Sequence, residues 1–337
     1  MLSFALRRLL YMIPLLVVVT FIIFLLMYLQ PGDAVDALCG FNCPADLREE
    51  LREIYGLDQP MLVQYVNWLK GIVCLSPTDR CPDFGYSVQK AQSAFTALVG
   101  DLRLVYTIAL LGASMLLSWV IAIPLGIYSA THKYSIWDHS LTFLGFIGLS
   151  VPNFILGLLF LFLVVGVLQL HTIDPFFRVT GFLNTELYGE PWSLYKVGNF
   201  LWHFIPPVLI LAAANIAAIM RYMRGTLLDV LGADYVQTAR SKGLRERVVV
   251  WKHAVRNAIN PLITMLGFWL PYMMEGALVI AIVFNLPQME KTFIGAIEDR
   301  DNPVVMTGLF LFSLILMLGN LFSDILLALS DPKIRYE

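Results

Sequence analysis

Apolar residues fall along this chain in six long runs, Leu9–Leu29, Leu104–Ala130, Leu141–Leu168, Leu201–Met220, Leu262–Phe284 and Val304–Leu329, each set off by polar stretches. Crossing about 30 Å of hydrocarbon takes about 20 helical residues, so each run predicts a membrane-spanning helix. Arg7 and Arg8 precede the first run as they would in a secretory leader, but the run continues to Leu29 without an A-x-A cleavage pattern and reads as a retained first helix. Pro124, Gly126, Pro152, Gly157, Pro206, Pro207 and Pro271 lie inside the runs. In a bundle, neighbouring helices satisfy the freed backbone groups, so these residues predict kinks and close helix contacts rather than breaks.

Composition agrees with the pattern, since 58% of the 337 residues are hydrophobic and 14% charged, against roughly half and a quarter in soluble domains. The net charge of −2 says little until it is divided by side of the membrane. Arg7, Arg8, Lys133, the eight basic residues from Arg221 to Arg256, Lys333 and Arg335 all fall in short stretches on one side, whereas the other side carries long segments rich in acids. By the positive-inside rule the chain is expected to be a multi-pass membrane protein with both termini and the stretch Asp234–Pro261 cytoplasmic. The expected organisation is a first helix in residues 1–30, an extracytoplasmic segment 31–103, a five-helix core 104–330 with a cytoplasmic loop 221–261, and a cytoplasmic tail 331–337.

Cys39, Cys43, Cys74 and Cys81 all lie in the outward segment. An oxidising compartment favours one or two structural disulfides among them; the four also have the ligand count of a thiolate metal site, though not its tight C-x2-C spacing. Within the same segment Ala45–Tyr55 places Leu47, Leu51 and Ile54 at spacings of four and three, which predicts an amphipathic helix that docks a partner or packs on its own outer domain.

The polar insertion between the fourth and fifth runs has internal order. Asp234 followed by Gln237 reads as a capping-box-like start, Tyr235 to Lys242 as about two helical turns, and Gly243 as a left-handed stop. A second helix is expected from Arg245 to about Asn257, with Val248, Trp251 and Val255 as its apolar stripe. Asn260 and Pro261 then read as the N-cap and first position of the fifth span. A helix this short is not stable alone in water, so it must be held by longer neighbours and presented for contact; the alternative is an ordinary basic loop that binds anionic lipid.

Ala239-Arg240-Ser241-Lys242-Gly243-Leu244, followed by His253-Ala254-x-Arg256-Asn257-Ala258 and Pro261, resembles the coupling-loop signature of ABC importer permeases of the dipeptide/oligopeptide family. Further similar stretches keep the family's order: Leu6-Arg7-Arg8-Leu9, Pro31-Gly32-Asp33, Leu57-Asp58-x-Pro60, Gly85-x-Ser87, Arg221-x-x-Arg224, Leu231-Gly232-x-Asp234-Tyr235, Arg300-Asp301-x-Pro303-Val304-Val305 and Asp331-Pro332-x-Ile334-Arg335. The resemblance is to the B-type subunit, and it implies an all-α integral membrane fold. That fold is a type I importer transmembrane domain of six helices with a large extracytoplasmic segment after the first. It implies as partners a second homologous permease, two cytoplasmic ATPases and an extracytoplasmic binding protein, within a lipid bilayer and with no nucleic acid. By the same resemblance Tyr235, Val236 and Ala239 pack on the ATPase, Lys242 salt-bridges to it, and Gly243 and Leu244 form the turn. The chain has no G-x-x-x-x-G-K-[ST] phosphate loop, so it binds no cofactor itself, and ATP and Mg belong to the partner subunits.

Where family members carry a Glu before the Phe that closes the fifth span and then Pro-Gly, this chain has Ala281, Phe284 and Pro287-Gln288. An acid stands earlier instead, at Glu275, and an ionisable residue inside a span usually faces a cavity or a partner. Glu275, Met274 and Asn215 are therefore the candidate residues of a translocation path, and no residue is expected to ligate a metal. The implied cargo is di- or oligopeptides; oligosaccharides such as cello- or manno-oligomers and metal chelates are the alternatives within the class. None of His132, His139, His171, His203 and His253 forms H-E-x-x-H and there is no G-x-S-x-G, which argues against an intramembrane enzyme. An ATP-independent channel or carrier would have no use for a coupling motif.

Overall fold

The apolar runs become helices because hydrocarbon offers the backbone no partner, and an α-helix satisfies its interior N–H and C=O groups within itself. The computed structural model describes residues 2–30, 35, 44–54, 56–75, 81–87 and 89–330. All six runs fall on helix: α1 (Leu2–Tyr28), α5 (Arg103–Thr131), α6 (Ile136–Ser150) with α7 (Asn153–Leu161), α8 (Leu194–Leu231), α11 (Asn260–Val283) and α13 (Asn302–Ser330). Between them lie α2 (Ala45–Ile54), α3 (Met61–Ile72), a hairpin of β1 (Tyr86–Ser87) and β2 (Gln92–Ser93), α4 (Ala94–Val99), α9 (Asp234–Ser241), α10 (residues 246–258) and α12 (Met289–Glu298). Among the described residues α1, α5, α8 and α13 are each long and apolar enough to cross a membrane, and α6 with the α7 run counts as a fifth if the pair is one span. The apolar run after the insertion forms the 24-residue α11.

The chain forms two compact units. One comprises Met1–Ala5, Ile108–Leu286 and Gly319–Glu337. At its centre α8 packs along α6, with α5, α7 and α11 around it. Small residues set how closely these helices approach: a Cβ on Gly126 of α5 would stand 2.7 Å from Met223 Cβ and 2.8 Å from the Met220 carbonyl, and one on Gly267 of α11 2.1 Å from Asn320 Oδ1. Polar side chains stitch the same contacts, Ser118 donating to Ala212 O at 3.3 Å and Ser323 to Ile263 O at 2.6 Å.

Two features differ from the sequence expectation. The kink expected at Pro152 is a break, because Val151 is extended and α6 and the α7 run meet at 90°. A residue before proline is pushed out of the helical region, and the proline itself has no N–H to donate. The chain caps the open end locally, with Ser150 Oγ donating to Phe146 O at 2.7 Å. By contrast Pro124, Pro206 and Pro207 are carried inside unbroken helices, as expected. The second difference is the length of α8. Its 38 residues reach about 57 Å at about 1.5 Å per residue, far more than a bilayer core needs. The stretch after Met220, expected to open a loop, is instead a rigid helical stalk ending at Leu231.

The other unit comprises Leu6–Thr107 and Pro287–Leu318. Its core gathers Phe84, Ala97, Leu98, Met289, Phe293, Val304 and Phe310, and the Tyr65 hydroxyl of α3 ties to α1 by donating to Val17 O at 3.0 Å. The hairpin is fastened to the start of α13 by Ser87 donating to Asp301 and Gln89 to Asp299 O. Cys74 and Cys81 are joined as a disulfide; Cys39 and Cys43 lie outside the described residues. Helix α2 forms where its periodicity predicts, as Ala45–Ile54.

Sequence reading missed Glu290 of α12, which is 1% exposed. Thr107 Oγ1 donates to its Oε2 at 2.6 Å and accepts the Met289 N–H at 3.3 Å, while among the described residues Oε1 has no hydrogen-bond partner. Burial pushes this carboxyl above the usual range.

Two predictions follow from the packing and the buried acid. Gly126→Ala should cost about 1–3 kcal/mol by overpacking, whereas Gly112→Ala on the same helix, where a Cβ meets nothing within 4 Å, should be neutral or gain up to about 1 kcal/mol from helix propensity; unfolding midpoints of the purified chain in detergent compare them. A carboxyl whose folded pKa is raised contributes stability below its unfolded pKa that is lost as pH rises through the folded pKa. Glu290→Gln should therefore flatten the alkaline fall in unfolding temperature and leave the chain more stable than wild type above neutrality.

Candidate functional site

At the foot of the α8 stalk, Met223 and Leu227 are fully buried and form part of an apolar core shared with Ile127, Ala130, Val249, Val250, Ala254 and Val255. Gly232 and Ala233 turn the chain, and α9 lies on this core with Val236 at 0% and Ala239 at 6% exposure. Three residues apart on a helix, these two form one face. This corrects the expectation that Val236 and Ala239 pack on a partner: they are the anchor that holds a two-turn helix which has no stability of its own. Asp234 is also not the cap. It lies in the first turn after Ala233, and the N-cap makes no side-chain hydrogen bond. Gln237 instead reaches back to Leu231 O at 3.4 Å.

The far end of α9 behaves as its sequence predicts. Gly243 has φ +75°, a left-handed turn that a residue with a Cβ enters only at a cost, and a Cβ there would meet nothing within 4 Å. Arg240 bridges the turn by gripping Glu246 with two hydrogen bonds, Nη2 to Oε1 at 2.8 Å and Nε to Oε2 at 3.2 Å, which holds the Glu246 carboxyl below the usual carboxylate range. The Tyr235 hydroxyl accepts from Asn257 Nδ2 at 2.8 Å, leaving the ring 44% exposed.

Helix α10 does not carry the expected stripe of Val248, Trp251 and Val255. It contains a π-helical stretch, Val249–Ala254, between Glu246–Val248 and Val255–Ala258. Spacing in a π-turn is close to five, so Val249 with Ala254 and Val250 with Val255 fall on the buried face while Trp251 turns outward. Asn260 is the first residue of α11, with Pro261 in its first turn, rather than a cap outside it.

What faces outward is then a defined set. Tyr235, Lys242, Gly243 and Leu244 are exposed on and just after α9, flanked by exposed Arg245, Arg247, Lys252 and Arg256. The surface is basic with an aromatic and an aliphatic side chain at its centre, and it stands at the end of a rigid stalk on a helix that cannot peel away without exposing Val236 and Ala239.

The candidate path residues are distributed unevenly. Glu275 of α11 is exposed, Met274 half-buried and Met273 buried. Gly276 beside them is where Asn153 of α7 and Leu211 of α8 come closest, a Cβ there standing 3.1 and 3.2 Å from their side chains. Asn215 is 3% exposed and donates to Leu211 O on its own helix at 3.0 Å, which places it in the packing between helices rather than on an open face.

The chain matches two family models: the binding-protein-dependent transport system inner membrane component over residues 122–336, and the N-terminal model of the same membrane component over residues 1–111. It is 36% identical over 338 residues to the oligopeptide transport system permease protein AppB of Bacillus subtilis, covering all of both chains. It is 34% identical over 338 residues to the glutathione transport system permease protein GsiC of Pectobacterium atrosepticum, again covering all of both. Over 354 residues it is 32% identical to the dipeptide transport system permease protein DppB of Escherichia coli K12, with both chains fully covered. A stalked, outward-facing short helix on a bundle of membrane helices and these full-length matches converge: the chain belongs to the family of inner-membrane components of binding-protein-dependent transport systems, as a multi-pass, non-enzymatic permease subunit of an ABC importer.

Proposed function

We propose that α9 and the turn after it are the docking element for a cytoplasmic ATPase, and that this chain forms one half of a translocation path for di- or oligopeptides delivered by an extracytoplasmic binding protein. The observation that carries the reading is the division of labour on α9, with Val236 and Ala239 committed to the chain's own core while Tyr235, Lys242 and Leu244 face outward. In this reading both termini and residues 221–261 are cytoplasmic, residues 31–103 face outward, and the other half of the bundle is a second, homologous permease. Two ATPase subunits bind ATP and Mg, one on each permease. Tyr235 and Leu244 supply apolar contact, Lys242 a charge contact, and Gly243 the turn that presents them. The peptide cargo is supported by the three relatives above, each named for transport of an oligopeptide, a dipeptide or glutathione.

The mechanism is alternating access. ATP favours the closed ATPase pair, the docked helices follow, and the bundle opens outward to receive peptide; hydrolysis returns it. ATP drives this only through its different affinity for the two states. Glu275, exposed on α11, suits the ammonium end of a peptide, and Met274 gives adaptable apolar contact beside it.

Reconstitution of the chain with its partner subunits in liposomes tests the docking reading through ATP hydrolysis with and without peptide-loaded binding protein. Tyr235→Ala and Leu244→Arg should each lower the stimulated rate roughly tenfold, as loss of an interface anchor does, with the unfolding temperature of the purified chain unchanged. Val236→Asp should instead lower that temperature, because it buries a charge in the core. Stimulation that ignores Tyr235 and Leu244 would assign this basic surface to anionic lipid.

A further inference from the structure

Asp138 stands in the first turn of α6 and is 1% exposed. Its two oxygens collect donors from three places. The Ser129 hydroxyl near the end of α5 donates to Oδ1, and the Tyr134 N–H, in the left-handed turn between the helices, donates to Oδ2 at 2.9 Å. Arg224 of the α8 stalk closes a two-pronged fork, Nε to Oδ1 at 2.7 Å and Nη2 to Oδ2 at 2.8 Å. Both oxygens are doubly occupied, which fills the acceptor capacity of the carboxylate.

Arg224 sits on the same stretch of stalk as Met223 and Leu227, whose side chains share the core that receives Val236 and Ala239 from α9. Apolar packing is non-directional, and by itself it would tolerate a stalk that rotated or slid against α6. A bidentate charged fork permits one register. From this clamp α6 runs to the 90° bend at Val151–Pro152, and α7 opens there with Asn153 against Gly276, the neighbour of exposed Glu275. α6 therefore runs from the stalk that carries α9 to the bend at which α7 meets the α11 surface holding the candidate path acid.

We propose that the Arg224–Asp138 fork is a positioning contact for coupling: it makes α6 follow the stalk, so that movement of α9 reaches the bend at Pro152 and the Glu275 surface of α11. The proposal rests on the reading of α9 as the ATPase-docking helix and adds to it the residues that pass the movement on. Neither Arg224 nor Asp138 touches peptide or nucleotide; they act through α6.

The reconstituted complex tests it by the ratio of peptide transported to ATP hydrolysed. Asp138→Asn combined with Arg224→Gln removes both charges together, so no uncompensated charge is left buried. Ser129→Ala is the milder variant, removing one donor and leaving the ion pair. The double variant should assemble and hydrolyse ATP at the basal rate, with the transport-to-hydrolysis ratio falling roughly tenfold, within the range of typical coupling energies. Ser129→Ala should lower the ratio roughly threefold, the worth of one hydrogen bond. A wild-type ratio in the double variant overturns the proposal. If the double variant fails to assemble, a wild-type ratio in Ser129→Ala overturns it. Absence of binding-protein stimulation in the wild-type complex would instead defeat the docking reading, and this proposal with it.

Discussion

The backbone of α8 passes through two successive prolines and continues unbroken for 38 residues, and the rest of the permease core depends on that continuity. A proline inside a helix removes a hydrogen bond and crowds the preceding turn, so the neighbours must hold the helix together. Beyond the prolines α8 is packed closely by Ser118 and Gly126 of α5, against Ala212 and Met220–Met223, and by Gly148 of α6, against Ala217. Because α8 does not break at its prolines, its far end is a lever rather than a tether. The short helix it carries is fixed in orientation by Val236 and Ala239, which leaves Tyr235 and Leu244 free for a partner.

Polar chemistry in this chain is placed where it fixes geometry. Gln237 and Arg240 turn their side chains back to the last carbonyl of the stalk, with Arg240 also held by Glu246. In the other unit, Thr107 joins α5 to Glu290 of α12, and Ser87 joins the hairpin to Asp301 at the base of α13. Each contact is worth little as a surface interaction, but when buried it selects one arrangement among several that apolar packing would accept.

Much of this was legible in the sequence. The six apolar runs marked the helices, Gly243 marked the left-handed turn, and the spacing of Leu47, Leu51 and Ile54 marked α2 to within a residue. What was not legible depended on distance or on a change of period. Thr107 and Glu290 lie 183 positions apart, and Asp138 and Arg224 lie 86 apart; no local pattern pairs them. The buried face of α10 differs from the expected stripe because the chain there takes a π-turn, and a spacing of five replaces three and four. The resemblance set Val236 and Ala239 against a partner, and a two-turn helix shows the same face whether it is buried in its own chain or against another. Only the neighbouring Val249, Val250 and Leu227 decide the matter. Pro152 broke its span while Pro124 did not, and the runs around them look alike.

The central claim is that α9 turns one face into its own chain and the other toward an ATPase, and site-directed cross-linking reads the two faces directly. Cysteines introduced singly at Leu244 and at Val236, in the complex assembled with its ATPase subunits, would be treated with a short thiol cross-linker. The account predicts an ATPase adduct from position 244 and none from position 236. An adduct from Val236→Cys with none from Leu244→Cys would mean that α9 presents its other face, contradicting the account.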